Sequence, residues 1–207
     1  MTYTRAIGVG CRYILDKIVR SLALARINPN VLTFIGLVIN IVAAVLFGYG
    51  LFFTAGLVII LAGIFDMVDG RVARYTNTVS YFGGFFDSVL DRYSDLALYF
   101  GLLVYYATID RQFYVVLTAV VMTGSVMVSY ARARAENTIK SCKVGFMERP
   151  ERIVLVIIGA LFNRMAACLW VIAVLSNLTV IQRIRHTYYA TREMDRRREN
   201  SQTAVGN

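Results

Sequence analysis

The sequence predicts an all-α membrane protein: six transmembrane helices preceded by an interfacial amphipathic helix. Three observations predict this class. Of 207 residues, 57% are hydrophobic and the mean hydropathy is +0.58, against about 45–50% apolar content in soluble domains. Several apolar runs approach the roughly 20 residues that a helix needs to cross about 30 Å of hydrocarbon. The basic residues gather in alternate connections, as the positive-inside rule requires.

Residues 1–27 carry Arg5, Arg12, Lys17, Arg20 and Arg26 among Ile7, Tyr13, Ile14, Ile18 and Leu22. That pattern predicts a helix too charged to span, lying in the cytoplasmic interface against anionic headgroups. The alternative is an ordinary surface helix packed on the domain. The first 30 residues lack the pattern of a signal peptide, so the first span is expected to act as its own insertion signal. Asn28-Pro29 ends the amphipathic segment, because Asn caps a helix well and Pro suits its first turn. A six-helix domain is expected over 28–190. Its first four spans cover about Val31–Phe52, Ala55–Arg74, Gly83–Ala107 and Phe113–Ala135. The charged segment 191–207 is predicted to be a disordered tail.

The region after Glu148 reads as one long helix or two short ones, split at Asn163-Arg164. With six spans, the amino terminus, the 2–3 and 4–5 connections and the carboxyl end hold 5, 3, 6 and 6 Lys or Arg, 20 of the 22. Arg111 and Arg164 alone fall on the other side. Five spans would move the last six outside, so six spans with both termini cytoplasmic satisfy the rule. The net charge of +9 then belongs to membrane topology and calls for no nucleic acid. Cys11, Cys142 and Cys168 lack metal-ligand spacing and read as free thiols. His186 is a lone histidine with a surface or packing role.

The last turns of the second span carry Asp66 and Asp69, and the first turns of the third carry Asp87 and Asp91, four carboxylates within 26 residues. Each would cost roughly 2.5–3.5 kcal/mol at a bilayer centre and less at the interface, so a chain that keeps four together uses them. Residues three or four apart share a helix face. Asp66 and Asp69 therefore share one face, and Asp87, Asp91 and Asp95 share another, on helices joined by a short loop. Paired hard oxygen ligands suit Mg²⁺ or Mn²⁺, and four carboxylates can bridge two ions. Gly70 lets a ligand approach the backbone. Arg74, one turn beyond, can pair with a phosphate. Structural ion pairs with Arg71, Arg74 and Arg92 are the alternative use of these carboxylates.

The run Asp66-x2-Asp69-Gly70-x2-Ala73-Arg74-x8-Gly83-x3-Asp87-x3-Asp91 resembles the signature of the CDP-alcohol phosphatidyltransferase family, with no departure at any fixed position. The resemblance implies a homodimer of six-span chains in the cytoplasmic membrane, with a di-metal site facing the cytoplasm. It implies an alcohol displacing CMP from CDP-diacylglycerol. It makes Asp66, Asp69, Asp87 and Asp91 metal ligands and Asp91 the general base. It places Gly70, Arg74 and Ser80, with the turn Pro29-Asn30-Val31-Leu32-Thr33, against the cytidine diphosphate.

A second set of residues bears on the acceptor. Arginines gather in Ala131-Arg132-Ala133-Arg134-Ala135-Glu136, in Glu148-Arg149-Pro150-Glu151-Arg152 and in Gln182-Arg183-Ile184-Arg185. The donor pyrophosphate needs only the metals, so extra guanidinium groups suggest a phosphorylated acceptor. These elements resemble the phosphatidylinositol-phosphate synthase subgroup, in which a basic triad matching Arg132, Arg152 and Arg183 holds the phosphate of inositol phosphate. The first of these is commonly Lys, and Arg stands here. Plain positive-inside bias also accounts for arginines in these places. Glycerol 3-phosphate is the other phosphorylated acceptor that fits, whereas serine leaves the arginines without a use. A cation transporter is the reading from another class, but its carboxylates should lie near the bilayer midplane rather than at helix ends beside arginines.

Overall fold

The computed structural model describes Ser21 and residues 28–205, with side chains as far as Arg197. The interfacial helix expected over 1–27 lies outside the described residues, Ser21 apart. The described residues form six helices and no strand: α1 (Pro29–Gly48), α2 (Phe52–Tyr75), α3 (Tyr81–Thr108), α4 (Gln112–Glu136), α5 (Arg149–Leu161) and α6 (Met165–Val205).

Four of the six, α1, α2, α4 and α6, are long and apolar enough to cross a membrane. The chain is a multi-pass membrane protein. α3 has 28 residues, but Asp87, Asp91, Arg92 and Asp95 dilute its apolar content. α5 has 13 residues and reaches only about 20 Å.

Four connections are built the same way. After α1, Gly50 takes φ 76°; its N–H bonds to Phe47 O and the next N–H, of Leu51, reaches Leu46 O. After α2, α3 and α5 the residues with positive φ are Asn77, Asp110 and Asn163. There Thr78 bonds back to Ala73, Arg111 to Tyr106 and Arg164 to Gly159. Each is a Schellman closure, which satisfies the last carbonyls and reverses the chain. Asn and Asp visit the left-handed region more readily than other residues with side chains.

The chain divides into two compact units, up to Gly101 and from Leu102. In the first, α1 packs on α2, and both bury small residues: Ala43 and Ala44 on α1, Ala55, Gly56 and Ala62 on α2. Lipid tails give apolar helices little reason to associate, so close backbone approach must supply the contact. α3 meets α1 at Gly101, where an added Cβ would lie 2.1 Å from the Ala44 carbonyl oxygen.

In the second unit α6 packs on α4 and on α5. Its Thr179 and Arg183, one turn apart, pin the connection that leads into α5. Met147 N–H donates to Thr179 Oγ1 at 3.1 Å, and Arg183 Nε donates to Val144 O at 3.0 Å. Gly145 between them has φ +96°, and a Cβ there would lie 2.3 Å from Thr179 Cγ2.

The segment 191–205, where charge predicts disorder, continues α6 as helix. Arg, Glu, Met and Gln are good helix formers, no Gly or Pro interrupts the run, and Glu193 pairs with Arg197 one turn on.

Gly101→Ala is expected to lower stability by about 1–3 kcal/mol, the usual cost of overpacking. Gly36→Ala, which meets nothing within 4 Å, should be neutral or stabilising by up to about 1 kcal/mol. Unfolding of both variants in detergent checks the difference in sign.

Candidate active site

The starts of α1 and α3 and the end of α2 enclose a cleft of about 610 Å³. Asp69 and Asp87 line it, and with Asp66 they bring carboxylate oxygens within 4.8 Å of one another. The 3-residue spacing on α2 and the short connection to α3 produce this meeting, as the sequence predicts. Three such charges repel by on the order of 3 kcal/mol per pair at the effective dielectric of a partly wet site. A bound cation removes that cost, and an all-carboxylate donor set fits a hard divalent ion.

Asp69 is the most enclosed of the three. It is buried, and Thr33 Oγ1 on α1 donates to its Oδ2 at 2.8 Å. The same hydroxyl lies 3.2 Å from Pro29 O; its one proton goes to the nearer, charged acceptor. The Gly70 N–H donates to the other oxygen, Oδ1. Beneath, Leu32 of α1 packs on Val68 and Val72 of α2. One helix contact thus both builds the core and orients the carboxylate.

Asp91 stands outside the trio, one turn along α3 from Asp87. Arg92 Nη1 lies 3.9 Å from its Oδ2. Asp95, one turn further, is buried.

The expected nucleotide contacts divide. Pro29, Asn30, Thr33, Gly70, Arg74 and Ser80 line the cleft. Val31 is exposed and Leu32 lies in the core; neither lines it. Asn28 caps α1 by accepting from Asn30 N–H at 3.0 Å, and Ser80 caps α3 by accepting from Gly83 N–H at 3.0 Å. A Cβ on Gly83 would lie 3.1 Å from Ser80 Oγ and 3.4 Å from Asn30 Oδ1. Its absence leaves the two helix starts close together at the cleft wall. The Arg74 guanidinium curls back over Gly70, 3.7 Å from where a Cβ would be. A cleft with carboxylates at its floor, an arginine on its wall and helix amino termini at its rim suits a diphosphate held through metal.

The family described as CDP-alcohol phosphatidyltransferase matches residues 26–182, most of the chain and all of this cleft. The chain belongs to this family. It is therefore a transferase of a divalent-metal-dependent family, and its acidic cluster offers the donors for such an ion. The transporter reading is set aside. The chain is 39% identical over 171 residues to an archaetidylinositol phosphate synthase of Pyrococcus horikoshii, covering 82% of this chain and 88% of that one. It is 35% identical over 181 residues to a phosphatidylinositol phosphate synthase of Mycobacteroides abscessus, covering 83% and 82%. The crystal structure of the Mycobacterium tuberculosis phosphatidylinositol phosphate synthase with CDP-DAG bound superposes with a TM-score of 0.80 at 32% identity. The match covers 85% of this chain and 94% of that one. A structure of the same enzyme in complex with manganese and citrate gives a TM-score of 0.79 over 84% and 88%. These family members share the helical fold.

The predicted arginines lie in the second unit. Arg152 is fully buried and Arg183 is 2% exposed; Arg132 and Arg152 both act on Arg183 electrostatically. Arg132 Nη1 and Arg183 Nη2 each donate to Glu148 Oε1 at 3.1 Å. Sequence reasoning missed Glu148 as their partner, although it opens the Glu148-Arg149-Pro150-Glu151-Arg152 run.

Thr33→Val should keep the fold but weaken divalent binding by about 10–100-fold, the usual effect of losing a group that orients a ligand. Mn²⁺ titration of the purified chain checks this, with Thr33→Ser expected to retain affinity.

Proposed function

We propose that the chain transfers a phosphatidyl group from CDP-diacylglycerol to the hydroxyl of inositol phosphate, releasing CMP and forming phosphatidylinositol phosphate. The observation that carries this reading is the acidic trio, two of whose members, Asp69 and Asp87, line a cleft together with Gly70, Arg74 and Ser80. The relatives support the acceptor: their names share inositol phosphate and differ in the lipid, archaetidyl against phosphatidyl.

Asp66, Asp69, Asp87 and Asp91 would hold two ions, Mg²⁺ in the first place and Mn²⁺ as a substitute. When bound, the metal polarises the lipid-side phosphorus and stabilises the departing CMP. Asp91 accepts the proton of the attacking hydroxyl. Its place outside the trio leaves an oxygen for the proton. Arg74 and the rim residues Pro29, Asn30 and Ser80 orient the cytidine diphosphate. Arg132, Arg152 and Arg183 hold the phosphate of the acceptor. All six helices cross the cytoplasmic membrane, with the site and both termini on the cytoplasmic side, as the basic residues favour. The chain works as a homodimer, as the family resemblance implies.

CMP release from CDP-diacylglycerol should require metal and inositol 1-phosphate. Release with glycerol 3-phosphate or serine, and none with inositol 1-phosphate, would overturn the acceptor. Asp91→Asn should abolish turnover while the protein stays folded; near-normal activity would overturn its role as base. Arg152→Ala should raise the KM of the acceptor more than that of the donor.

A further inference from the structure

The second unit holds a polar cavity of about 490 Å³, lined by Arg132, Lys143, Glu148 and Glu151 among others. Arg132 lines it directly, whereas Arg183 is buried and reaches Glu148 in the lining from behind. Arg183 is fixed from behind, its Nε on Val144 O at 3.0 Å and its Nη1 on Val128 O. That leaves Nη2 directed at Glu148. Arg132 is fixed at Nε by Glu136 Oε1, 3.1 Å away, and its Nη1 is directed at Glu148 too. Two guanidinium donors from α4 and α6 therefore converge on a single oxygen, Glu148 Oε1, each at 3.1 Å. A phosphate oxygen at that point would keep both bonds and add further lone pairs for the same donors.

The two carboxylates in this cluster differ in how firmly they are tied. Glu136 Oε1 also accepts the Cys142 N–H at 3.2 Å, so it belongs to the frame. Glu148 is the cap residue of α5, yet its side chain makes no capping bond. It is 40% exposed at the cavity. Its side chain is held by the two arginines, Arg132 and Arg183.

We propose that Glu148 is an internal stand-in for the acceptor's phosphate: its carboxylate closes the Arg132–Arg183 pair until an anionic acceptor displaces it. This rests on the reading of these arginines as the acceptor-phosphate site. A neutral alcohol has nothing to exchange for two charge-assisted bonds, whereas a phosphate dianion does. The competition selects phosphorylated acceptors, lowering their apparent affinity by the fraction of chains in the closed state.

The test is the full chain with Glu148→Gln, and with Glu148→Asp, which keeps the charge but withdraws it by one methylene. The KM for inositol 1-phosphate should fall about threefold to tenfold relative to the KM for CDP-diacylglycerol, as expected for release of a partly exposed pair. An unchanged or raised ratio would overturn the proposal and make Glu148 a residue that positions the arginines. Inorganic phosphate supplies an arm independent of turnover: its half-saturating concentration for protection against thermal unfolding should fall in both variants. No fall there also overturns the proposal. Should the wild-type chain release no CMP with inositol 1-phosphate, the acceptor assignment fails, and the phosphate titration still decides the role of Glu148.

Discussion

The hydrogen bond from Thr33 to Asp69 is the contact on which the geometry of the acidic cluster depends. Asp69 is buried near the end of a largely apolar helix, where a carboxylate without partners would cost several kcal/mol. Thr33 supplies one donor from a helix 36 positions earlier, and the Gly70 amide supplies another. Leu32, beside Thr33, packs on Val68 and Val72. The register that buries these apolar groups therefore also delivers the hydroxyl. A slip of α1 along α2 would lose core packing and ligand orientation together. Asp66 and Asp87, less enclosed, complete the trio around the carboxylate that is held fast.

Much of the fold was legible because helix ends carry local chemistry. Asn28-Pro29 marks the start of α1, and Gly50, Asn77, Asp110 and Asn163 are residue types that tolerate the left-handed turn each Schellman closure needs. The acidic stripe was legible because its three- and four-residue spacings survive folding intact. Hydropathy alone would have found α1, α2, α4 and α6. α3 escapes because the site sits on it, and α5 because it is short. Only the placement of Lys and Arg asks for those two as spans.

What was not legible involves partners distant in the chain. Thr33 reads as part of a nucleotide-contacting turn, and no spacing rule links it to Asp69. Val31 and Leu32 share that turn, but helical geometry sends one outward and the other into the core. The arginines are legible by their number, whereas their pairing with Glu148 and with backbone carbonyls depends on the path of the loop pinned by Thr179 and Arg183. The segment 191–205 is helical because helix propensity outweighs charge density in a stretch without a breaker.

The most direct measurement is CMP release by the wild-type chain after chelation and reconstitution, with Asp69→Asn alongside. Chelation should abolish release, Mn²⁺ or Mg²⁺ should restore it, and Asp69→Asn should respond to neither ion at concentrations that saturate the wild type. Release that persists in the chelated protein, or an Asp69→Asn variant restored at wild-type metal concentrations, would contradict the account.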